Sequence, residues 1–189
     1  IELGVGAGDI LFAHSSLSSM GHVDGGADAA VDALLGTLGP GGTLVVPTFT
    51  FAHEAEDNPV VDPAADHSEM GIITETARLY PDARRSTAFR HSFAAIGKWS
   101  GVVAGNDAAL SPFDLRSSFG VMAALNTKVI MLGVTYASST SHHFAEFVCE
   151  VPYRQMISMN AKVRQASGKV VEQPMMDYQP KSEGGSYYG

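Results

Sequence analysis

The sequence predicts an α/β domain with a mostly parallel central sheet flanked by helices. Three observations lead there. Short β-branched and aliphatic runs alternate with segments of helical period, the pattern of an α/β chain. Residues 10–47 form one strand–helix–strand unit of about the length a parallel crossover needs. A second buried run, Val129-Ile130-Met131-Leu132-Gly133-Val134, leads through Ser/Thr residues into another helical segment.

Taken in order, Ile10-Leu11-Phe12-Ala13-His14 is expected to be a buried strand, followed by a hydroxyl- and glycine-rich loop over 15–26. A helix from about Ala27 to Leu38 carries Ala27, Ala30, Val31, Leu34, Leu35 and Leu38 on one stripe. Gly39-Pro40-Gly41-Gly42 ends it, and Thr43–Pro47 is a second buried strand. Residues 49–70 are polar and aperiodic, and a loop this long inside a domain is usually functional or disordered. A helix near 71–80, a strand near Ser92–Ile96 and a helix over Phe119–Leu125, closed by Asn126, come next. Beyond the 129–134 strand and its helix, which Pro152 stops, segments around Ala166-Ser167-Gly168 form a hairpin. After Pro174 the pattern becomes irregular. Cys149 is expected to be a small core residue.

With 189 residues and 45% hydrophobic content, the chain can bury one core, so residues 1–189 are expected to be a single domain. Its first residue is Ile and its last six are Gly-Gly-Ser-Tyr-Tyr-Gly, so terminal pieces are expected to be missing. No apolar stretch is long enough to span a bilayer, and no signal-like segment opens the chain. One cysteine excludes an internal disulfide framework, and the expected location is cytoplasmic. A net charge of −8 argues against nucleic acid, whose phosphates need a basic face, and suits cationic ligands or simple solubility.

Few familiar motifs survive inspection. Gly4-Val5-Gly6-Ala7-Gly8 precedes its strand instead of following it, which rules out a dinucleotide loop. There is no phosphate-loop Gly-Lys-Ser/Thr and no Gly-x-Ser-x-Gly elbow. Seven histidines invite a metal, but none stands at the spacing of a zinc helix, so no metal is expected. Two features remain. His143 and Glu146 lie three apart, so on a helix their side chains meet, and a histidine oriented by a carboxylate can serve as general base. The same spacing also occurs in ordinary solvated pairs. The 15–26 loop, between a strand and a helix start, offers backbone N–H groups to an anion such as a pyrophosphate or phosphopantetheine arm. It would equally serve as a plain connection.

Six separate motifs then occur in order. They are His14-Ser15-Ser16-Leu17-Ser18-Ser19-x-Gly21-x-Val23-x-Gly25-Gly26; Gly42-Thr43-Leu44-Val45-x-Pro47-Thr48-Phe49; Arg85-Ser86; His91-Ser92-Phe93-Ala94-Ala95-x-Gly97; Ser111-Pro112-Phe113; and Thr140-x-x-His143-x-x-Glu146. Over about residues 3–154 the chain resembles the antibiotic N-acetyltransferase family, the aminoglycoside 3-N-acetyltransferases and their relatives. The resemblance implies that family's fold, distinct from the common split-sheet acetyltransferases. It also implies acetyl-CoA-dependent transfer to the 3-amino group of a cationic aminoglycoside. Ser15, Ser16, Leu17, Ser18, Val23, Gly25 and Gly26 would hold the CoA pyrophosphate and pantetheine arm, with Arg85 and Ser86 nearby. The 49–70 loop would line the acceptor side. Two departures stand out. Phe89 replaces the family's usual Pro, which could alter how Arg85 and Ser86 are presented, and the usual C-terminal third is short or absent.

Within that resemblance, His143 Nε2 is expected to take the proton of the attacking amine while Glu146 holds Nδ1–H. Thr140, one turn earlier, either caps the helix or touches the thioester, capping being the stronger expectation. His142 packs or faces solvent. Rival readings are an acyltransferase acting on a non-antibiotic amine, a CoA-binding module without turnover, and a hydrolase in which His143 activates water. The sequence gives no expectation for the oligomeric state.

Overall fold

The computed structural model describes residues 3–55, 59–105 and 111–181, so the final Gly-Gly-Ser-Tyr-Tyr-Gly and residues 56–58 of the long polar loop lie outside it. Strand β1 (Ile10–Ser15) leads through a 3₁₀ turn at Leu17–Met20 into α1 (Gly26–Leu38), and β2 (Thr43–Pro47) follows. Next come β3 (Val60–Val61), α2 (Ile72–Arg78), β4 (Arg84–Arg85), β5 (Phe93–Gly97), α3 (Ser100–Ala104) and α4 (Ser118–Ala124). The chain continues through β6 (Lys128–Leu132), α5 (Ser141–Val148), β7 (Arg154–Arg164) and β8 (Val170–Pro180). Asn126 takes the left-handed conformation just past α4, as its helix-closing place predicts.

The central sheet has the order β4-β5-β2-β1-β6. β1 is parallel to both β2 and β6, but β5 is antiparallel to β2 and to β4. The expectation of a mostly parallel sheet is therefore corrected to a mixed one. The cause is local: the loop over 86–92 is too short for the crossover that a parallel β4–β5 pair would require. Alternation along the strands sorts the core into two layers. Phe12, Val45, Phe93 and Ala95 face Phe113, α3 and α4, while Leu11, Ala13, Leu44, Val46 and Ile96 face α1 and α2.

Strand β6 is not the buried strand its apolar run suggests. It lies at the sheet edge, and Val129 is 44% exposed, because only β1 covers one of its sides. Cys149, expected in the core, is exposed at the end of α5. The segment after Pro174 is regular: β8 pairs with β7 from Val170 to Pro180, with Pro174 opposite Asn160. A proline fits there because β8 is an edge strand of the β3-β7-β8 sheet. Phe89 packs with Val61, Ala161, Val163 and Met175, joining this second sheet to the β4–β5 loop.

Arg85 organises the long polar loop. Its Nη2 donates to the Thr48 carbonyl at 2.7 Å and to Thr50 Oγ1 at 3.0 Å, while Nη1 reaches the carbonyls of Pro63 and Asp66. Nε donates to Thr48 Oγ1 and Ser92 Oγ, both at 3.2 Å. Burial pushes its pKa down to about 10, still leaving it a cation at neutral pH. Ser86 is wholly buried and its hydroxyl accepts the Phe93 N–H at 2.9 Å. Both residues thus tie neighbouring backbone and hydroxyl groups together within the protein.

Two largely desolvated imidazoles, one buried and one partly buried, make stability pH-dependent. His14 packs on Phe12 and His91 lies among Phe49, Phe51 and Phe113, and burial lowers each from 6.5 to about 4. The unfolded chain binds these protons near 6.5 and the folded chain only near 4, so stability falls as pH drops through that window. Denaturation midpoints should decline as the pH is lowered from about 6.5 to about 5, above the carboxylate range, and His91→Phe should make the slope shallower by up to about 1.4 kcal/mol per pH unit. An unchanged slope would contradict a neutral His91. Separately, Arg85→Met should cost about 2–4 kcal/mol in denaturant titrations by stranding the carbonyls it holds. A variant that keeps full stability would contradict this anchoring role, and a selective loss of acetyl-CoA affinity would place Arg85 at the cofactor, as the resemblance implies.

Candidate active site

Two parallel neighbours, β1 and β6, bring their carboxyl ends to the same edge of the sheet, where open α/β sheets place ligands. From β1 the chain enters the serine-rich loop; from β6 it turns at Gly133 and runs to α5. The Ser16 N–H donates to the Leu132 carbonyl at 2.8 Å, stitching the two exits together. Gly133 has φ +70°, and a Cβ there would lie 2.7 Å from the Ser16 carbonyl oxygen. Glycine is what lets β6 approach the loop this closely.

The loop forms one wall of a groove of about 640 Å³. Ser15, Ser16, Leu17, Ser18 and Val23 line that wall, with residues 69–72 opposite. Ser16 Oγ lies 3.2 Å from Ser18 Oγ and 2.9 Å from Ser19 Oγ, a chain of hydroxyls along the opening. Ser15 Oγ is buried with no hydrogen-bond partner among the described residues. Glu69 is the acidic member of the opposite wall, and its Oε1 already accepts the N–H groups of Phe51 and Ala52. Gly25 and Gly26 are not among the lining residues. They open α1, both at positive φ, and a Cβ at Gly25 would lie 2.9 Å from that of Ala29.

Helix α5 carries the histidine–carboxylate pair. Phe144 stacks on Phe119 and Phe147 meets the Tyr178 ring, pinning one side of a helix that buries no residue completely. This seats the adjacent His143 and Glu146 against the body of the protein. His143 Nδ1 lies 2.7 Å from Glu146 Oε2, and the ring meets Phe113 edge-on at 5.8 Å. The carboxylate's other oxygen, Oε1, accepts the Tyr153 hydroxyl at 3.0 Å. Burial lowers the His143 pKa, opposed by the Glu146 hydrogen bond and reinforced by Arg154 and His142. Burial alone would raise the Glu146 carboxyl, but His143, Tyr153 and Arg154 hold it below the usual range. The result is a neutral imidazole beside an ionised carboxylate.

Thr140 does not cap α5. Its side chain makes no capping bond, its backbone is already helical, and its hydroxyl is buried with no partner among the described residues. His142 is half-buried, its ring centroid 4.0 Å from that of His143. Donor atoms of His142, His143 and Glu146 lie within 4.8 Å of one another, close enough for a metal ion. Arg154 Nε, however, stands 2.7 Å from Glu146 Oε2, placing a fixed cation on the carboxylate such a metal would need. Arg154 and Tyr153 escape a reading of the sequence, being seven to eleven residues away across a turn with no periodic relation to the pair.

His143 and Glu146 thus meet on α5, with Thr140 just before its first turn, while Ser15 to Ser18 and Val23 share the groove at the neighbouring strand exit. His143 is not among the residues lining that groove. Among the described residues no helix is long and apolar enough to cross a membrane.

Residues 12–185 match the family model for aminoglycoside 3-N-acetyltransferases. The chain is 31% identical over 153 residues to aminoglycoside N(3)-acetyltransferase IV of Salmonella sp, covering 81% of this chain and 58% of that protein. It is 30% identical over 181 residues to the SPbeta prophage-derived aminoglycoside N(3')-acetyltransferase-like protein YokD of Bacillus subtilis, covering 85% and 66%. The crystal structure of YokD superposes with a TM-score of 0.82 at 28% identity over 95% of this chain and 78% of that one. AAC-VIa, in a structure with sisomicin bound, gives 0.79 at 26% identity over 94% and 72%. The chain therefore spans 58% of the Salmonella enzyme and about two thirds of YokD. With the family model matched along nearly its whole length, the protein belongs to the aminoglycoside 3-N-acetyltransferase family.

Proposed function

We propose that the protein transfers acetyl from acetyl-CoA to the 3-amino group of an aminoglycoside, with His143 as general base. The observation that carries this reading is the 2.7 Å contact between His143 Nδ1 and Glu146 Oε2, on the helix that comes after the strand exit beside the serine loop. The serine-loop groove is the place we assign to the pantetheine arm and pyrophosphate, with the hydroxyls of Ser15, Ser16 and Ser18 as donors. Sisomicin binding by the related AAC-VIa supports a polycationic acceptor, as does this chain's net charge of −8.

The chemistry follows from what an amine lacks. Near neutrality an ammonium has no lone pair for a thioester. As the amine nitrogen attacks the acetyl carbonyl, the C–N bond forms and the nitrogen's surplus proton passes to His143 Nε2. Glu146 accepts Nδ1–H, which fixes the tautomer that leaves Nε2 free and stabilises the imidazolium. Collapse of the tetrahedral intermediate breaks the C–S bond, and the departing CoA thiolate recovers the proton. We assign Thr140 Oγ, which has no protein partner among the described residues, as a donor to the thioester oxygen. Acetyl-CoA is already activated, so no covalent enzyme intermediate is needed.

CoA release with an aminoglycoside panel, compared with simple amines and with no acceptor, tests the reading. His143→Ala should lose at least about a hundredfold in turnover while keeping its fold, and Glu146→Gln should be slowed as well. Near-normal turnover by His143→Ala would remove it as the base. Thiol release that runs equally fast without any acceptor would make the protein a hydrolase.

A further inference from the structure

We propose that Arg154 is a positioning residue for the His143–Glu146 pair, holding the carboxylate in place while competing with it for the imidazole Nδ1. The inference rests on the base role given to His143 above. Arg154 opens β7, where its pairing opposite Pro180 lays the side chain along the Tyr178 ring, 5.4 Å from its centroid. Nη1 donates to the Tyr178 carbonyl at 3.4 Å. That anchoring aims the remaining guanidinium edge at the site. Nε stands 2.7 Å from Glu146 Oε2, a charge contact whose N–H is not well aligned for a hydrogen bond, and Nη2 stands 2.9 Å from His143 Nδ1.

An arginine nitrogen can only donate, and a carboxylate can only accept. Nδ1 therefore stands between two partners that demand opposite states. With a proton on Nδ1 it donates to Glu146, and Nε2 keeps the lone pair that catalysis requires. With Arg154 donating to Nδ1, a neutral ring must carry its proton on Nε2 and cannot act as base. Arg154 thus remains on Glu146 through Nε, and its Nη2 must yield the ring nitrogen when the site is active. Its charge also opposes imidazolium, keeping the ring neutral at pH values where it would otherwise protonate. The groups around the ring are Glu146 and His142 on α5, Arg154 on β7, Tyr153 just before it, Tyr178 on β8 and His91 before β5. Among them Glu146 favours the charged ring, whereas Arg154 and His142 oppose it.

The test is ¹⁵N-imidazole NMR of the whole chain across pH, with the His143 signals assigned by their loss in His143→Gln. Arg154→Gln should raise the His143 pKa by about one unit or more, because both the opposing charge and the competitor for Glu146 disappear. Arg154→Lys, which keeps the charge, should titrate closer to the parent. The acid limb of kcat/KM should move upward with the NMR value. Glu146→Ala leaves Arg154 as the partner of Nδ1 and should shift the neutral ring to the Nε2–H tautomer, a result that does not require any Arg154 variant to fold. An unmoved pKa in Arg154→Gln, or an Nδ1–H ring in Glu146→Ala, overturns the proposal. Because these signals do not depend on turnover, they stand apart from the base assignment. If His143→Ala turns over normally while the pKa still shifts, only the base assignment fails.

Discussion

The contact between His143 Nδ1 and Glu146 Oε2, 2.7 Å long and mostly shielded from water, is what the rest of the structure serves. An isolated i,i+3 pair on a solvated helix would be worth a few tenths of a kcal/mol and would leave the ring free to rotate. Here Phe113 meets one edge of the ring, Phe144 and Phe147 pin the helix, and Tyr153 and Arg154 occupy the carboxylate. The carboxylate and the Nδ1 edge of the ring are thus held by several neighbours at once. That is the preorganisation a proton acceptor needs, since a base that must first be ordered loses rate to the ordering.

Everything larger arranges where this pair stands. The parallel pairing of β1 with β6 delivers the serine loop and α5 to one edge, and Gly133 permits the close approach of the two exits. On the far side of β2 the sheet turns antiparallel, and Arg85 binds the long polar loop to the β2–β5 region through carbonyl and hydroxyl oxygens of that loop, Thr48 and Ser92. A buried cation whose hydrogen-bond partners among the described residues are neutral oxygens is costly to desolvate, which is the main reason its pKa falls, yet it orders a segment with few large apolar residues of its own. The β7–β8 hairpin plays an analogous part, carrying Arg154 to the dyad from outside the central sheet.

How much of this is legible in the sequence follows from which interactions are local. β1, α1 and β2 emerge with nearly their observed bounds because their signals, aliphatic runs and a 3.6-residue stripe ended by Gly-Pro-Gly-Gly, lie within a dozen residues. The His143–Glu146 contact is readable for the same reason. The edge position of β6 is not, because an apolar run does not say whether a second strand flanks it, and the antiparallel pairing of β4 with β5 depends on the length of a loop that carries no period of its own. Cys149 looks like a core residue by its type but sits past the last anchored turn of α5. Arg85 and Ser86 stand out in the sequence only through the family resemblance; the long-range bonds by which they order Thr48, the polar loop and the Phe93 N–H exist only in three dimensions. Arg154 is invisible because its partnership with Glu146 arises only when a hairpin folds back onto a helix.

A crystal structure of the protein with CoA and an aminoglycoside bound together would test the base assignment head-on. It should show the 3-amino nitrogen within about 3 Å of His143 Nε2, the CoA sulfur beside it and the pantetheine arm along Ser15 to Ser18. Ligands seated elsewhere, or an imidazole turned so that Nε2 faces neither amine nor thioester, would refute it.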